Sequence, residues 1–146
     1  MEEINVALLA AIGIGGSFGL SALGAALGMG FNGPAVIGAW KKCYVQNKPA
    51  PFILTVFAGT CLTNVIYGFI VLMALQRSSL DGAEIMALGL GAGLTIGAVA
   101  ITQSMCSASA AEAYAETGKG FGNYLMVIGI AETVSLFAMA FTMIVA

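Results

Sequence analysis

Apolar residues dominate four blocks of the chain, and short polar stretches separate these blocks. The blocks lie near residues 4–39, 50–75, 84–113 and 120–146. Each block is longer than the roughly 20 residues that a helix needs to cross a hydrocarbon core about 30 Å thick. The pattern therefore predicts an all-α membrane protein with four transmembrane helices.

The character of the blocks repeats along the chain. The first and third blocks are rich in Gly, Ala and Ser, whereas the second and fourth carry more Phe, Leu, Met and Ile. This order predicts two tandem transmembrane hairpins, residues 1–78 and residues 79–146. Aligning the centres of the two bulky helices places Asn64 opposite Glu132. We interpret the chain as a duplicated hairpin that has kept its acid in one copy only.

Small residues recur at helical spacing in the first and third blocks. Gly89, Gly93 and Gly97 are four residues apart, and a similar stripe runs from Gly13 to Gly28. Such stripes let helix backbones approach closely in lipid. Two interpretations remain open, namely packing within one chain and packing between many copies in a tight inner ring.

Composition and charge agree with membrane placement. Hydrophobic residues make up 60% of the chain and charged residues 8%, and the mean hydropathy is +0.99, far from the values of a soluble domain. Four lysines lie in loops 40–49 and 114–120, while the opposite ends are mainly acidic. The positive-inside rule then predicts that both loops face the cytoplasm and both termini face outward. The net charge of −2 gives no indication of nucleic-acid binding.

Glu132 is the acidic residue at the centre of a block. It lies about twelve residues from Gly120 and about fourteen from the C-terminus, which places it near the bilayer centre at about 1.5 Å per residue. An ionised carboxylate there must be protonated, paired or coordinated to a cation. No Lys, Arg or His occupies the core of any block. A protonated acid that only bonds a neighbouring helix is the alternative.

Other polar residues are expected at a similar depth. Together with Glu132 they would offer hydroxyl, amide and carboxylate oxygens, which suit a small hard cation. The hydroxyl of Tyr67 suits a different role, because it can donate a hydrogen bond to the Glu132 carboxylate. The alternative for each residue is an ordinary contact between helices. The candidates are Thr60, Thr63, Asn64, Tyr67, Gln103 and Thr133.

Motifs for catalysis are missing from the sequence. The three cysteines are scattered and there is no histidine, so a zinc site or a disulfide framework is not expected. There is no Walker A sequence and no Ser–His or Cys–His pair. We therefore expect a non-catalytic chain.

Three stretches carry a resemblance to a known family: residues 21–30 (SALGAALGMG), residues 63–69 (TNVIYGF) and residues 131–133 (AET). In this order, with one acid in the fourth helix and none in the second, the chain resembles the rotor-ring proteolipid of V-type and archaeal-type ATPases. That proteolipid is called c or K, and the resemblance is to its duplicated four-helix form.

The resemblance implies a closed ring of identical subunits in the membrane. The ring would turn against a stator a/I-type subunit when separate soluble subunits hydrolyse ATP, and a central-stalk subunit would contact the cytoplasmic loops. The alternative role for the basic loop is contact with lipid headgroups. One acid per four helices implies fewer ions per ATP, which favours pumping. The absence of an organellar signal leads us to expect a prokaryotic plasma membrane.

The resemblance also assigns roles within an ion site. It implies that Na⁺ is bound by Thr63, Asn64, Gln103 and Glu132. By the same resemblance, Tyr67 would lock the glutamate, and Thr60 would lend a backbone carbonyl. Asn64 departs from the family, whose sodium-carrying members have a glutamine at this position. The surplus of oxygen ligands favours Na⁺ over H⁺, which is the first alternative.

A second alternative is a small four-helix multidrug or cation exporter, which also uses one intramembrane glutamate. Such an exporter is expected to carry its acid in the first helix among aromatic residues that hold a cationic drug. This chain has its acid in the last helix, and Trp40 lies at the basic loop. The rotor interpretation is therefore preferred.

Overall fold

The computed structural model describes the backbone of residues 2–146 and the side chains from residue 4 onward. Met1 and the side chains of Glu2 and Glu3, which contribute to the charge prediction, lie outside the described residues. The described backbone forms five α-helices: α1 (Glu2–Val45), α2 (Leu54–Gly59), α3 (Leu62–Gln76), α4 (Gly82–Thr117) and α5 (Phe121–Val145).

Four segments of the described chain are long and apolar enough to cross a membrane, and α2 and α3 together form the second of them. This agrees with the predicted class, an all-α membrane protein with four spans. Many large apolar side chains lie on the outer surface of the helices, as membrane-spanning helices require. The spans are Ile4–Val45, Leu54–Gln76, Gly82–Thr117 and Phe121–Val145.

Helices α1 and α4, which form the first and third spans, are longer than predicted. The sequence pattern ended them near residues 39 and 113, whereas they continue to Val45 and Thr117. With 44 and 36 residues they are about 66 and 54 Å long at 1.5 Å per residue, well beyond the hydrocarbon thickness. The apolar pattern indicates only the part of each helix that lies in lipid. The helix itself continues until the backbone conformation changes, as α4 does at Gly118, whose φ is 63°.

Helices α1 and α4 run parallel and form the centre of the unit. Gly82 lies against Val6 at one end, and the Lys42 ammonium forms an ion pair with the Glu116 carboxylate at the other. Both residues of the ion pair lie in the helical extensions that the sequence pattern had assigned to loops or their borders. The parallel arrangement is what a duplicated hairpin produces when its two copies pack side by side.

Glycines allow this pair of helices to touch backbone to backbone. A Cβ on Gly24 would lie 2.3 Å from the Cα of Gly97, and a Cβ on Gly89 would lie 2.0 Å from the carbonyl oxygen of Gly13. No real side chain tolerates such distances, so these positions require glycine. The interpretation of the stripes as packing within one chain is confirmed for these residues. Helix α3 joins them through Gly68, where a Cβ would lie 2.5 Å from the Cβ of Ser21.

The second span is broken at Thr60–Cys61, where the sequence predicted one continuous helix. Its polar residues were expected to follow one helical stripe, but Thr60 lies in the break, before α3 begins. The side chain of Thr60 takes part in the break, because its hydroxyl donates to the carbonyl oxygen of Phe57 at 3.2 Å. The break lies one turn before the residues expected to form the ion site.

Candidate functional site

Glu132 lies near the middle of α5, eleven residues after Phe121 and thirteen before Val145. At about 1.5 Å per residue the carboxylate is about 17 and 20 Å from the two helix ends. The helix continues without interruption through this residue. The side chain is partly buried between α5 and the rest of the bundle.

Two side chains from two other helices donate hydrogen bonds to this carboxylate. The Tyr67 hydroxyl of α3 lies 2.8 Å from Oε1 of Glu132, and Nε2 of Gln103 in α4 lies 3.1 Å from Oε2. Each carboxylate oxygen thus has one neutral donor. The sequence expectation that Tyr67 and Gln103 lie beside Glu132 agrees with this geometry.

Asn64 lies in the same network but one step away from the acid. Its side chain is fully buried, and its Nδ2 donates to Oε1 of Gln103 at 2.6 Å. The Ser135 hydroxyl donates in turn to Oδ1 of Asn64. The three hydrogen bonds are therefore all donated toward the acid. Ser135 donates to Asn64, Asn64 to Gln103, and Gln103 to Glu132. The shorter side chain of Asn64 contacts Gln103, and no hydrogen bond joins it to Glu132 in the described structure.

Thr60 and Thr63 are hydrogen-bonded to other groups than the acid. The Thr63 hydroxyl donates to the carbonyl oxygen of Thr60 at 3.1 Å, and the Thr60 hydroxyl lies 2.7 Å from that of Ser107 in α4. Neither threonine bonds directly to Glu132 among the described contacts. Both nevertheless line the same cleft as the carboxylate.

This cleft has a volume of about 320 Å³ and opens on the carboxylate. Its polar lining comes from three helical segments and combines two hydroxyl residues, one amide and one acid. The remaining lining is apolar, so the cleft offers a few oxygens in a mostly apolar setting. Its lining residues are Val56, Gly59, Thr60, Thr63, Gln103, Leu125, Ile128, Gly129 and Glu132.

Thr133 does not join the other candidates. It is exposed, and its hydroxyl donates to the carbonyl oxygen of Ile130 in its own helix at 2.7 Å. Adjacent residues of a helix point about 100° apart, so Thr133 is directed away from Glu132.

The polar groups of the site are one carboxylate, which carries the single charge, and several neutral oxygen-bearing side chains. Among the described residues no three His, Cys, Asp or Glu side chains come together as a metal cluster. A cation at Glu132 would therefore be held by one carboxylate with threonine and amide oxygens, which are hard ligands. The same carboxylate with its two donors would also hold a proton.

Two residues of the network were missed by the sequence analysis. Ser135 lies three residues after Glu132 and therefore near it on α5, and this spacing was the available signal. Ser107, the partner of Thr60, lies four residues after Gln103 on α4. Both are fully buried hydroxyls, whereas serine in an apolar block is common enough in sequence to attract no attention.

The bundle carries a hydrogen-bonded carboxylate near the middle of a helix long and apolar enough to cross a membrane, and an ionisable residue at such a place is a candidate functional site in a membrane protein. Residues 86–145, which contain Glu132 and nearly all of α4 and α5, match the family model of the c subunit of ATP synthase. That family consists of non-catalytic, ion-carrying proteolipids that form rotor rings of identical subunits. The match spans the second hairpin and less than half of the chain. No curated protein matches the chain.

Proposed function

We propose that the chain is the ion-carrying rotor-ring subunit of a V-type ATPase membrane sector. Each copy carries one Na⁺ on Glu132 while other subunits hydrolyse ATP. The observation that carries the proposal is the cleft at Glu132, where one mid-membrane carboxylate meets neutral oxygens from the second and third spans. The match of residues 86–145 to the c subunit of ATP synthase supports the rotor role.

Ring assembly is supported by a second face of small residues on α1. Among the described residues, apart from the neighbouring backbone of α1 itself, no heavy atom lies within 4 Å of a Cβ placed on Gly15, Gly19 or Gly30. At 100° per residue this face is opposite the one through which Gly24 contacts α4. It is therefore left for another partner.

Helix α4 has a similar second face. A Cβ on Gly91 would meet nothing within 4 Å, and Thr95, Ala98 and Thr102 are exposed on the same side. We propose that the open face of α1 packs on the open face of α4 in the next copy. A head-to-tail contact of this kind generates a ring when its rotation closes. The stator subunit would then contact the outer helices that carry Glu132.

The two parallel hairpins with one acid support the duplicated, V-type form. A ring of such subunits carries one ion for every four helices. Moving one charge costs about 2.3 kcal/mol per 100 mV, so fewer ions per ATP allow a steeper gradient. We therefore propose a pump. The central-stalk subunit would contact the end that carries Lys42 and Glu116, which we place in the cytoplasm with both termini on the outer side.

The proposed Na⁺ ligands are Glu132, Gln103, Thr63 and the backbone carbonyl of Thr60. An amide oxygen has two lone pairs, so Gln103 can accept from Asn64 and still face a cation. Asn64 orients Gln103 through its hydrogen bond. The family resemblance implied instead that Asn64 is itself a ligand of Na⁺. Tyr67 keeps the carboxylate in position through its hydroxyl.

Proton transport by the same carboxylate is the second candidate. It needs fewer groups than Na⁺ binding, because a proton carrier needs little besides an acid and one hydrogen-bonding partner, and Glu132 has two such neighbours. The two candidates share the rotor role and differ in the ion.

The deciding measurement is the rate at which a carbodiimide labels Glu132 in the purified ring. Carbodiimides react with the protonated acid, so a bound cation slows the reaction. We expect Na⁺ to slow labelling at fixed pH and ionic strength, and K⁺ to have no effect. A labelling rate that does not change with the Na⁺ concentration but falls as the pH rises would exclude the sodium site and support proton transport.

The variant Glu132→Gln tests the role of the acid itself. The amide keeps the shape of the side chain but cannot ionise. We expect an assembled ring that is not labelled and an ATPase whose hydrolysis is no longer coupled to ion transport. Coupled transport in this variant would refute the mechanism.

A further inference from the structure

Asn32 of α1 has a fully buried side chain and contacts the broken second span. Its Nδ2 lies 3.0 Å from the carbonyl oxygen of Phe57 and 3.1 Å from that of Ala58. Both carbonyls belong to the last turn of α2, directly before the break at Thr60–Cys61. One side-chain amide thus contacts two consecutive backbone groups.

These contacts supply hydrogen-bond donors to carbonyl groups at the break. The last carbonyls of a helix have no amide partner in the helical ladder. In hydrocarbon no water replaces that partner, so each unpaired group is strongly destabilising. The two N–H groups of the Asn32 amide are the right number of donors for two carbonyls. Its Oδ1 has no partner among the described residues, so the side chain is used as a donor.

Two groups of the cleft lie at or beside the break. The Thr60 carbonyl accepts the hydroxyl of Thr63. The Thr60 hydroxyl pairs with Ser107 of α4. Thr60 and Thr63 both line the cleft in front of Glu132.

We propose that Asn32 is a positioning residue for the ion site. It holds the second span open at Thr60–Cys61 and so places the oxygens of Thr60 and Thr63 in the cleft. This inference rests on the proposed function of Glu132 as the ion carrier. It adds a residue of the first helix to a site otherwise built from the other three spans.

The test replaces Asn32 by leucine, which has a similar size and no donor. The readout is the Na⁺ concentration that halves carbodiimide labelling of Glu132 in the purified ring. We expect this concentration to rise at least tenfold, because the carbonyls of Phe57 and Ala58 lose the Asn32 amide as a donor, although Phe57 keeps the Thr60 hydroxyl, and the threonine oxygens leave their places. An unchanged concentration in an assembled Asn32→Leu ring would overturn the proposal.

The matched control is Ser104→Ala. Ser104 is also fully buried, lies against α1 at Gly28, and has a hydroxyl without a partner among the described residues. This variant changes the interface between α1 and α4 without touching the break, so the half-protection concentration should stay at the wild-type value. If Ser104→Ala shifts the half-protection concentration as much as Asn32→Leu does, the effect comes from general packing between α1 and α4. That result would refute a specific role for Asn32.

A second variant covers the case in which Asn32→Leu does not assemble. Asn32→Asp keeps the shape and, when protonated, one of the two donors, so we expect a smaller shift in the same direction. Wild-type protection in Asn32→Asp would then overturn the proposal. If the wild-type ring shows no Na⁺ protection, the sodium function fails by itself, and the pH at half-labelling replaces the Na⁺ concentration in every comparison between variants and wild type.

Discussion

Replacing Tyr67 by phenylalanine removes one hydroxyl and leaves the aromatic ring in its place between the helices. The lost group is the donor 2.8 Å from Oε1 of Glu132. A hydrogen bond to a charged partner contributes roughly 1.5–3 kcal/mol. Since about 1.4 kcal/mol corresponds to a factor of ten, the ionised site should bind Na⁺ roughly 10- to 100-fold more weakly.

The assay is the Na⁺ protection of Glu132 against carbodiimide, measured on wild type and Tyr67→Phe at the same pH. Thr133→Val is the matched control, because Thr133 adjoins Glu132 but its hydroxyl bonds only to the carbonyl of Ile130. Valine keeps the branched shape, so protection should be unchanged. If Tyr67→Phe needs no more than twice the wild-type Na⁺ concentration, the hydroxyl does not hold the ionised carboxylate, and the role given to Tyr67 is refuted.

The remaining predictions concern packing and assembly. Ser135→Ala leaves the buried Oδ1 of Asn64 without its donor and should lower the free energy of unfolding by about 1–3 kcal/mol, measured by thermal unfolding in detergent; no loss would contradict the network. Gly24→Ala forces a Cβ to within 2.3 Å of Gly97 and should destabilise the folded chain by about 1–3 kcal/mol or more in the same assay. A Cβ at Gly19 would meet no heavy atom of the other described residues within 4 Å, so Gly19→Leu should leave the helix content intact by circular dichroism and abolish the high-mass oligomer on a native gel. A ring that survives Gly19→Leu would exclude the proposed interface.

Much of the bundle could be predicted because lipid imposes simple rules on sequence. The apolar blocks predicted four spans, and the glycine spacing indicated close helix contacts. Glu132 was recognisable because it is an acid at the centre of an apolar block. Tyr67 and Gln103 followed from their similar depth, and the structure brings both into contact with the acid.

Other features depend on contacts that no local pattern contains. The break at Thr60–Cys61 is stabilised by Asn32, which lies 25 residues before Phe57 in sequence. The position of Asn64 depends on side-chain length, since its amide reaches Gln103 and not the acid. Periodicity gives the face of a helix on which a residue lies, but it does not give the distance that a side chain spans.

The place of Asn64 has a consequence for the number of acids in the chain. Under the proposed duplication, Asn64 stands where the second hairpin has Glu132. Asn64 donates to Gln103 and accepts from Ser135, so the side chain at this position supports the network around Glu132. A single substitution to glutamate would lose the donor to Gln103 and bring a second negative charge into the network around Glu132. A second acid is therefore hard to introduce at position 64 by one mutation, because the hydrogen-bond network around Asn64 disfavours it.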